Sequence, residues 1–302
     1  MTVEKPSWLQ VALQIRGSVV PAIFPRLSLC TGLGLIVSIV HYYGYDLPQQ
    51  IFASVISNVA YNLVLGLLMV FRTNTAYSRY WEGRQIWGNI IINSLNLGRK
   101  IRVLVAENEP IVQESKAAAI KLLSAFSIAT KLHLRRMPVN KELETLLTPS
   151  QYLELKDAKN PPLKIALWIG NYLKQQQIQN RLTTFELVEM NAKLDNMVEG
   201  FIGCDRILTT PIPPAYTIYL KRVLLIYCLI LPLQLVANLN WWTAPIVAII
   251  SFILLGVEEI GNQIENPFGI EPNDLPVDEI CHKLVKNLED VITTDLPSLT
   301  NS

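Results

Sequence analysis

The chain has 302 residues, of which 50% are hydrophobic and only 17% are charged, whereas globular proteins usually carry about 25% charged residues. The formal net charge of +1 lacks the strong basic excess of nucleic-acid-binding proteins. The composition therefore predicts a membrane protein with an added soluble portion, with lipid rather than nucleic acid as its partner.

Four cysteines are scattered along the chain without a CxxC pair or other metal-ligand spacing, so we expect reduced, buried thiols. They are Cys30, Cys204, Cys228 and Cys281.

The N-terminal residues 1–26 have the spacing of an amphipathic arm, either at the membrane interface or packed on the soluble part. A first span is predicted over Leu27–Tyr43 and a second over Ile51–Phe71. Asn58 and Asn62 share one helix face, and either interhelical hydrogen bonding or a wet outer mouth would explain them.

The stretch from Leu63 to Arg84 contains no proline and changes from apolar to polar and basic after Phe71. One helix is therefore predicted to leave the bilayer at Phe71 and to continue as a soluble helix. Leu63, Leu67 and Phe71 recur at i, i+4 and i+8, which places them on one face over about 12 Å of helix axis. Repeated around a symmetry axis, this face would form an apolar collar that gates by dewetting. Core or lipid-facing leucines have the same spacing.

Residues 80–210 have a soluble, helical pattern, and a proline-rich break at 209–216 separates them from two further apolar segments. Spans are predicted from about Tyr216 to Val236 and over Thr243–Val257, with a last helix over Leu275–Asp290. The predicted domains are 1–26 (arm), 27–79 (membrane helices 1 and 2), 80–210 (cytosolic helical region), 211–257 (membrane helices 3 and 4) and 258–302 (cytosolic segment).

The two short loops at 44–50 and 237–242 contain no Lys or Arg. The positive-inside rule therefore predicts a multi-pass protein with both termini and the soluble region in the cytoplasm.

An enzyme is not predicted, because the three histidines lie in unrelated contexts and no nucleophile, metal or nucleotide motif is present. The pairs Glu258-Glu259 and Asp278-Glu279 are expected to be solvated carboxylates. A carrier would show internal repeats or paired broken helices, and neither is evident.

Three segments together resemble the bestrophin family in its prokaryotic and plastid-type branch. They are FRTNTAYSRYWEGR (71–84), TTPIPPAYT (209–217) and IENPFGIEPNDLP (264–276). The resemblance covers most of the chain in the right order. It implies an all-α membrane protein with four transmembrane helices per subunit, a helical cytosolic region and a homopentamer around a central pore.

The resemblance also implies site residues. The hydrophobic pore neck falls on Leu63, Leu67 and Phe71, and the cytosolic aperture falls on Ile212, for which a buried loop anchor is the alternative. Two of the three neck residues are leucines, which lack the positive ring edges that aromatic residues can turn towards an anion.

Arg72 and Arg79 follow the neck directly. If they face the vestibule they favour anions, and if they pair with Glu82 or another carboxylate they do not.

In animal members of the family, the acidic stretch after the NPFG motif holds calcium. The comparable residues here are Gln263, Asn266, Glu271 and Asp274, whose oxygen atoms suit Ca²⁺ as a structural or gating ion. Because Ile270, Pro272 and Asn273 interrupt the acidic run, a strap between neighbouring subunits is the alternative.

The resulting hypothesis is a pentameric channel for passive flow of small monovalent anions, with chloride as the permeant ion. A cation-conducting member of the same family and a non-conducting membrane scaffold are the alternatives. The expected location is a bacterial inner membrane or a thylakoid membrane; the apparent lack of a transit peptide favours a prokaryotic one.

Overall fold

The computed structural model describes residues 7–15, 17–45, 58–106 and 110–294. Every regular element within these ranges is helical, as predicted. Parts of the predicted arm (residues 1–6 and 16), the start of the predicted second span (51–57) and the last residues of the polar tail (295–302) lie outside the described residues.

The helices are α1 (Trp8–Ala12), α2 (Val20–Tyr42), α3 (Val59–Leu104), α4 (Pro110–Leu134), α5 (Lys141–Glu144), α6 (Pro149–Lys156), α7 (Pro161–Ile178), α8 (Thr184–Thr209), α9 (Pro214–Leu239), α10 (Thr243–Ile264) and α11 (Val277–Thr293). A 3₁₀ turn at Asn240–Trp242 joins α9 to α10.

The chain divides into two compact units. The first unit comprises Met1–Tyr80, Pro211–Pro267 and Glu271–Asp274, and the second comprises Trp81–Thr210, Phe268–Ile270 and Leu275–Ser302. Helix α3 contributes residues up to Tyr80 to the first unit and the remainder to the second.

In the first unit, α2 packs against α9 and α10 around a small apolar core. A Cβ atom on Gly34 of α2 would lie 3.1 Å from the Cα of Ala244 on α10, so these two helices approach closely. In α2, only 22% of the most apolar stretch is buried within the chain. In the segment Pro214–Ile264, the corresponding share is 28%. Both segments are long and apolar enough to cross a membrane, and their exposed sides suit lipid or another subunit.

In the second unit, α4 lies at the centre of a helical bundle and packs against α7 and α11. It also has the length and apolarity of a membrane span, yet 78% of its most apolar stretch is buried within the chain. Such extensive burial is typical of a helix in the core of a protein. Since the second predicted span begins outside the described residues, four spans per subunit stay a prediction.

Helix α2 begins earlier than predicted, at Val20 instead of Leu27. The hydroxyl oxygen of Ser18 accepts a hydrogen bond from the Val20 amide at 3.2 Å, and Pro21 lies in the first turn. Proline is tolerated there because it has no amide to pair. Residues 20–26, which were assigned to the arm, therefore form the beginning of α2.

Helix α3 is continuous over 46 residues, or about 69 Å. The prediction that the helix continues beyond Phe71 is confirmed. The side-chain oxygen of Asn58 accepts a hydrogen bond from the Ala60 amide at 2.9 Å. Asn58 therefore caps the helix start, which is neither of the two roles expected for it.

All four cysteines are free and buried, as predicted.

Candidate functional site

The candidate pore face lies on the part of α3 that belongs to the first unit. Leu63, Leu67 and Phe71 are 61%, 46% and 60% exposed in the single chain. The opposite side of the helix, with Leu65 and Met69, is buried against α9. The three candidate neck residues thus lie on a face that the chain itself leaves uncovered. Their assignment to a pore neck stays a prediction.

Arg72, the next residue after the candidate neck, is buried and ion-paired. Only 1% of it is exposed, and its Nη2 lies 2.6 Å from Oε2 of Glu265. Of the two alternatives for Arg72, the structure shows the ion pair, and the partner is Glu265 instead of Glu82. Glu82 pairs with Arg206 at 2.7 Å within the second unit. The charge of Arg72 is therefore compensated.

Arg79 lies two turns further along α3 and is half-buried. Its Nε donates a hydrogen bond to the backbone carbonyl of Glu265 at 3.2 Å. Both candidate vestibule arginines therefore contact the same residue at the end of α10.

Ile212, the candidate aperture residue, is 9% exposed in the single chain. Its backbone amide donates a hydrogen bond to Oε1 of Glu265 at 3.1 Å. The neighbouring Pro213 has φ −49° and caps α9, so the backbone here is fixed on both sides. This burial favours the loop-anchor alternative for the side chain, and the aperture role stays a prediction.

The segments that carried the family resemblance come together in the first unit. Glu265 contacts Arg72 through one carboxylate oxygen and Ile212 through the other. Tyr216 adds a second link, because its hydroxyl donates to the backbone carbonyl of Leu68 at 2.8 Å. Parts of all three segments therefore contribute to one hydrogen-bonded junction.

Helix α10 contacts α3 next to this junction. A Cβ atom on Gly261 would lie 3.7 Å from Cγ of Arg72. One turn later on the same helix, Glu265 meets the guanidinium group of Arg72. Sequence reasoning missed Glu265. No local signal distinguished it from the neighbouring carboxylates Glu258 and Glu259.

Two of the four predicted calcium residues accept hydrogen bonds from protein groups through their side-chain oxygens. Oε1 of Gln263 accepts a hydrogen bond from Asn273 at 2.7 Å, and a carboxylate oxygen of Asp274 accepts one from the Glu271 amide at 2.7 Å. Within the described residues, no three His, Cys, Asp or Glu side chains lie close enough to hold a metal ion. The calcium role of this segment stays a prediction.

The same segment is fastened to the N-terminal part of the first unit. The side-chain amide of Asn273 also donates to the backbone carbonyl of Gly17 at 3.2 Å. Gly17 has φ +79°, a conformation that glycine adopts without strain. One asparagine thus holds the segment between the end of α10 and the residues before α2.

The carboxylates Glu258 and Glu259 are partnered, and expecting them to be solvated was wrong. Their side chains are 2% and 11% exposed, and both accept hydrogen bonds from Arg26, at 3.1 and 2.6 Å. Buried carboxylates need such a partner, because an unpaired charge away from water is costly. Arg26 therefore joins the first part of α2 to α10.

The chain is similar to known proteins over almost its whole length. The family model described as bacterial/fungal bestrophin protein matches residues 1–290. A voltage-dependent anion channel-forming protein of Nostoc sp. is 48% identical over 291 residues, which cover 96% of this chain and 94% of that protein. The protein YneE of Escherichia coli, also named voltage-dependent anion channel-forming, is 29% identical over 92% of this chain and 89% of its own length.

A solved structure has the same fold. The crystal structure of a bacterial bestrophin homologue from Klebsiella pneumoniae superimposes with a TM-score of 0.81 at 28% identity, covering 91% of this chain and 100% of that one. The predicted class, an all-helical membrane protein, is thereby confirmed. On the strength of the family model, the 48% identical relative and this shared fold, the chain belongs to the bacterial and fungal bestrophin family.

Proposed function

We propose that this chain forms a channel for passive flow of small monovalent anions, with chloride as the main permeant ion, and that it is not an enzyme. The observation that carries the proposal is the uncovered apolar face of α3, formed by Leu63, Leu67 and Phe71. The relatives named as anion channel-forming proteins support the ion type. A hydrophobic collar acts on ions by setting a dehydration barrier, without coordinating them.

The channel is a homopentamer around one axial pore. A single copy cannot enclose a pore with one helix face, so several copies of α3 must surround the axis. The low burial of the apolar stretches in α2 and Pro214–Ile264 supports this arrangement, because it leaves surface for lipid and for neighbouring subunits. In the pentamer, the segment that contains Ile212 forms the cytosolic aperture.

The sign of the permeant ion does not come from Arg72, whose charge Glu265 compensates. Anion preference must therefore come from the summed field of the assembled pore. The compensation of Arg72 is also the observation that favours the second candidate, a cation-conducting channel with the same pore.

The protein crosses the membrane several times, with both termini in the cytoplasm. The absence of Lys and Arg from residues 44–50 and 237–242 supports this orientation. A bacterial inner membrane or a thylakoid membrane is the location.

The test is the reversal potential of purified protein in a planar bilayer under a KCl gradient. We expect reversal close to the chloride equilibrium potential. Reversal close to the potassium equilibrium potential would show that the protein is a cation channel. Protein that is inserted in the bilayer but carries no current would favour the membrane scaffold.

The same recording, repeated with calcium chelated, tests the segment after α10. Because Gln263 and Asp274 already accept hydrogen bonds from protein donors, we expect unchanged current and unchanged reversal potential. A loss of current on chelation, restored by added Ca²⁺, would show that this segment rearranges to bind the ion.

A further inference from the structure

The side chain of Glu265 touches two structural elements at once. Its Oε2 lies 2.6 Å from Nη2 of Arg72, and its Oε1 accepts the Ile212 amide at 3.1 Å. Arg72 directly follows Phe71 of the proposed neck, and Ile212 is the proposed aperture residue. A single carboxylate therefore connects the end of the neck with the segment that carries the aperture.

From this geometry, and resting on the proposed function, we infer that Glu265 is a positioning residue for the pore. It holds the aperture segment at a fixed place relative to the neck helix and cancels the charge that follows the neck. The side chain of Glu265 is 18% exposed and that of Arg72 is 1% exposed. Water therefore screens this pair less than a surface ion pair, and a side chain of other length or charge cannot replace both contacts.

The two contacts can be separated by substitution. Glu265→Gln keeps an oxygen that accepts from the Ile212 amide but leaves Arg72 without a carboxylate. Glu265→Ala removes both contacts. The double variant Arg72→Gln/Glu265→Gln keeps the acceptor and also removes the unpaired charge. If Glu265 acts through both contacts, the current of the alanine variant should be the lowest. The current of the double variant should be the closest to that of the wild type.

A cysteine placed at Ile212 reports on position without any need for current. Since Ile212 is 9% exposed and the four native cysteines are buried, an Ile212→Cys variant should react slowly with a water-soluble maleimide. We expect labelling to be about tenfold faster when Glu265→Ala is added, because the backbone amide at position 212 then loses its acceptor, and leaving a buried donor unpaired shifts a local equilibrium by about a decade. Adding Glu265→Gln should leave labelling close to the slow rate.

Recordings in planar bilayers provide the functional readout. The current per assembled channel should fall about tenfold in Glu265→Ala. It should be higher in Glu265→Gln than in Glu265→Ala, and it should be highest in the double variant. Moreover, the effects of Ile212→Ala and Glu265→Ala should not add, because Glu265 acts on the aperture by positioning the Ile212 side chain, which Ile212→Ala removes. Glu279→Ala, which removes an exposed carboxylate of α11, is the matched control and should behave as the wild type in both assays.

Equal labelling rates with and without Glu265→Ala, in protein of wild-type oligomeric state, would overturn the inference, whether or not the channel conducts. So would a conducting wild type whose current is the same in Glu265→Ala. A wild type without current, but with the expected labelling pattern, would overturn the proposed function and leave the positioning role supported.

Discussion

Replacing Leu63, Leu67 and Phe71 together by alanine is expected to raise the single-channel conductance about tenfold, as a barrier lowered by ~1.4 kcal/mol would do. The physical reason is that a wider and less apolar constriction lets ions keep more of their hydration shell. Selectivity between chloride and potassium should weaken at the same time. Single-channel recording in planar bilayers, with the reversal potential under a KCl gradient, measures both effects.

The control for this variant truncates three apolar side chains that do not lie on α3. Leu29, Ile36 and Leu225 are 52%, 57% and 51% exposed on helices α2 and α9. Their triple alanine variant should conduct as the wild type does. If the α3 variant matched this control in conductance and selectivity, the neck would have to lie elsewhere.

Replacing Trp87 by alanine is expected to destabilise the second unit by about 3–5 kcal/mol, the usual range for deleting a large buried aromatic side chain. Trp87 is 0% exposed and packs against Phe268, with ring centroids 6.4 Å apart. The lost contacts and the remaining cavity both contribute. Differential scanning calorimetry of the purified protein should show an unfolding transition at a clearly lower temperature.

Trp87→Phe is the matched variant, because it keeps an aromatic ring in the same place. The indole N–H of Trp87 is buried and has no hydrogen-bond partner among the described residues, so its removal also relieves a cost. We expect a change within about 1 kcal/mol. A phenylalanine variant as unstable as the alanine variant would mean that the indole N–H, and not the ring, is the important group.

The sequence predicted the helical class and the continuity of α3 because both follow from local patterns. An apolar run that turns polar without proline or another strong breaker continues as helix, and α3 does so through Leu104. The beginning of α2 was misplaced for an equally local reason. Pro21 can end a segment or stand in the first turn of a helix, and only the structure distinguishes the two.

The contacts of the candidate site could not be predicted from local patterns. Arg72 and Glu265 are 193 residues apart, and nothing near either residue indicates its partner. The alternatives for Arg72 therefore stayed open until the structure showed the pair. Asn58 is a different case, since asparagine before an apolar helix is a recognised capping signal. Its position inside a predicted membrane span hid that signal.

Hydropathy alone also cannot separate a membrane span from the centre of a soluble bundle. Helices α2 and α4 both pass the length and apolarity criteria for spanning. They differ in burial within the chain, at 22% and 78% of their most apolar stretches. Burial depends on which helices pack around each one, and this is a property of the whole fold.

The distance along the chain between Arg72 and Glu265 also has a consequence for biosynthesis. A ribosome adds about 5–20 residues per second, so this separation of 193 residues delays the carboxylate by roughly 10–40 s after the arginine has been made. During that time the guanidinium group lacks its partner and must stay hydrated, since burying it alone is costly. The part of α3 around Arg72 can therefore take its buried position only after α10 has been synthesised, near the end of translation.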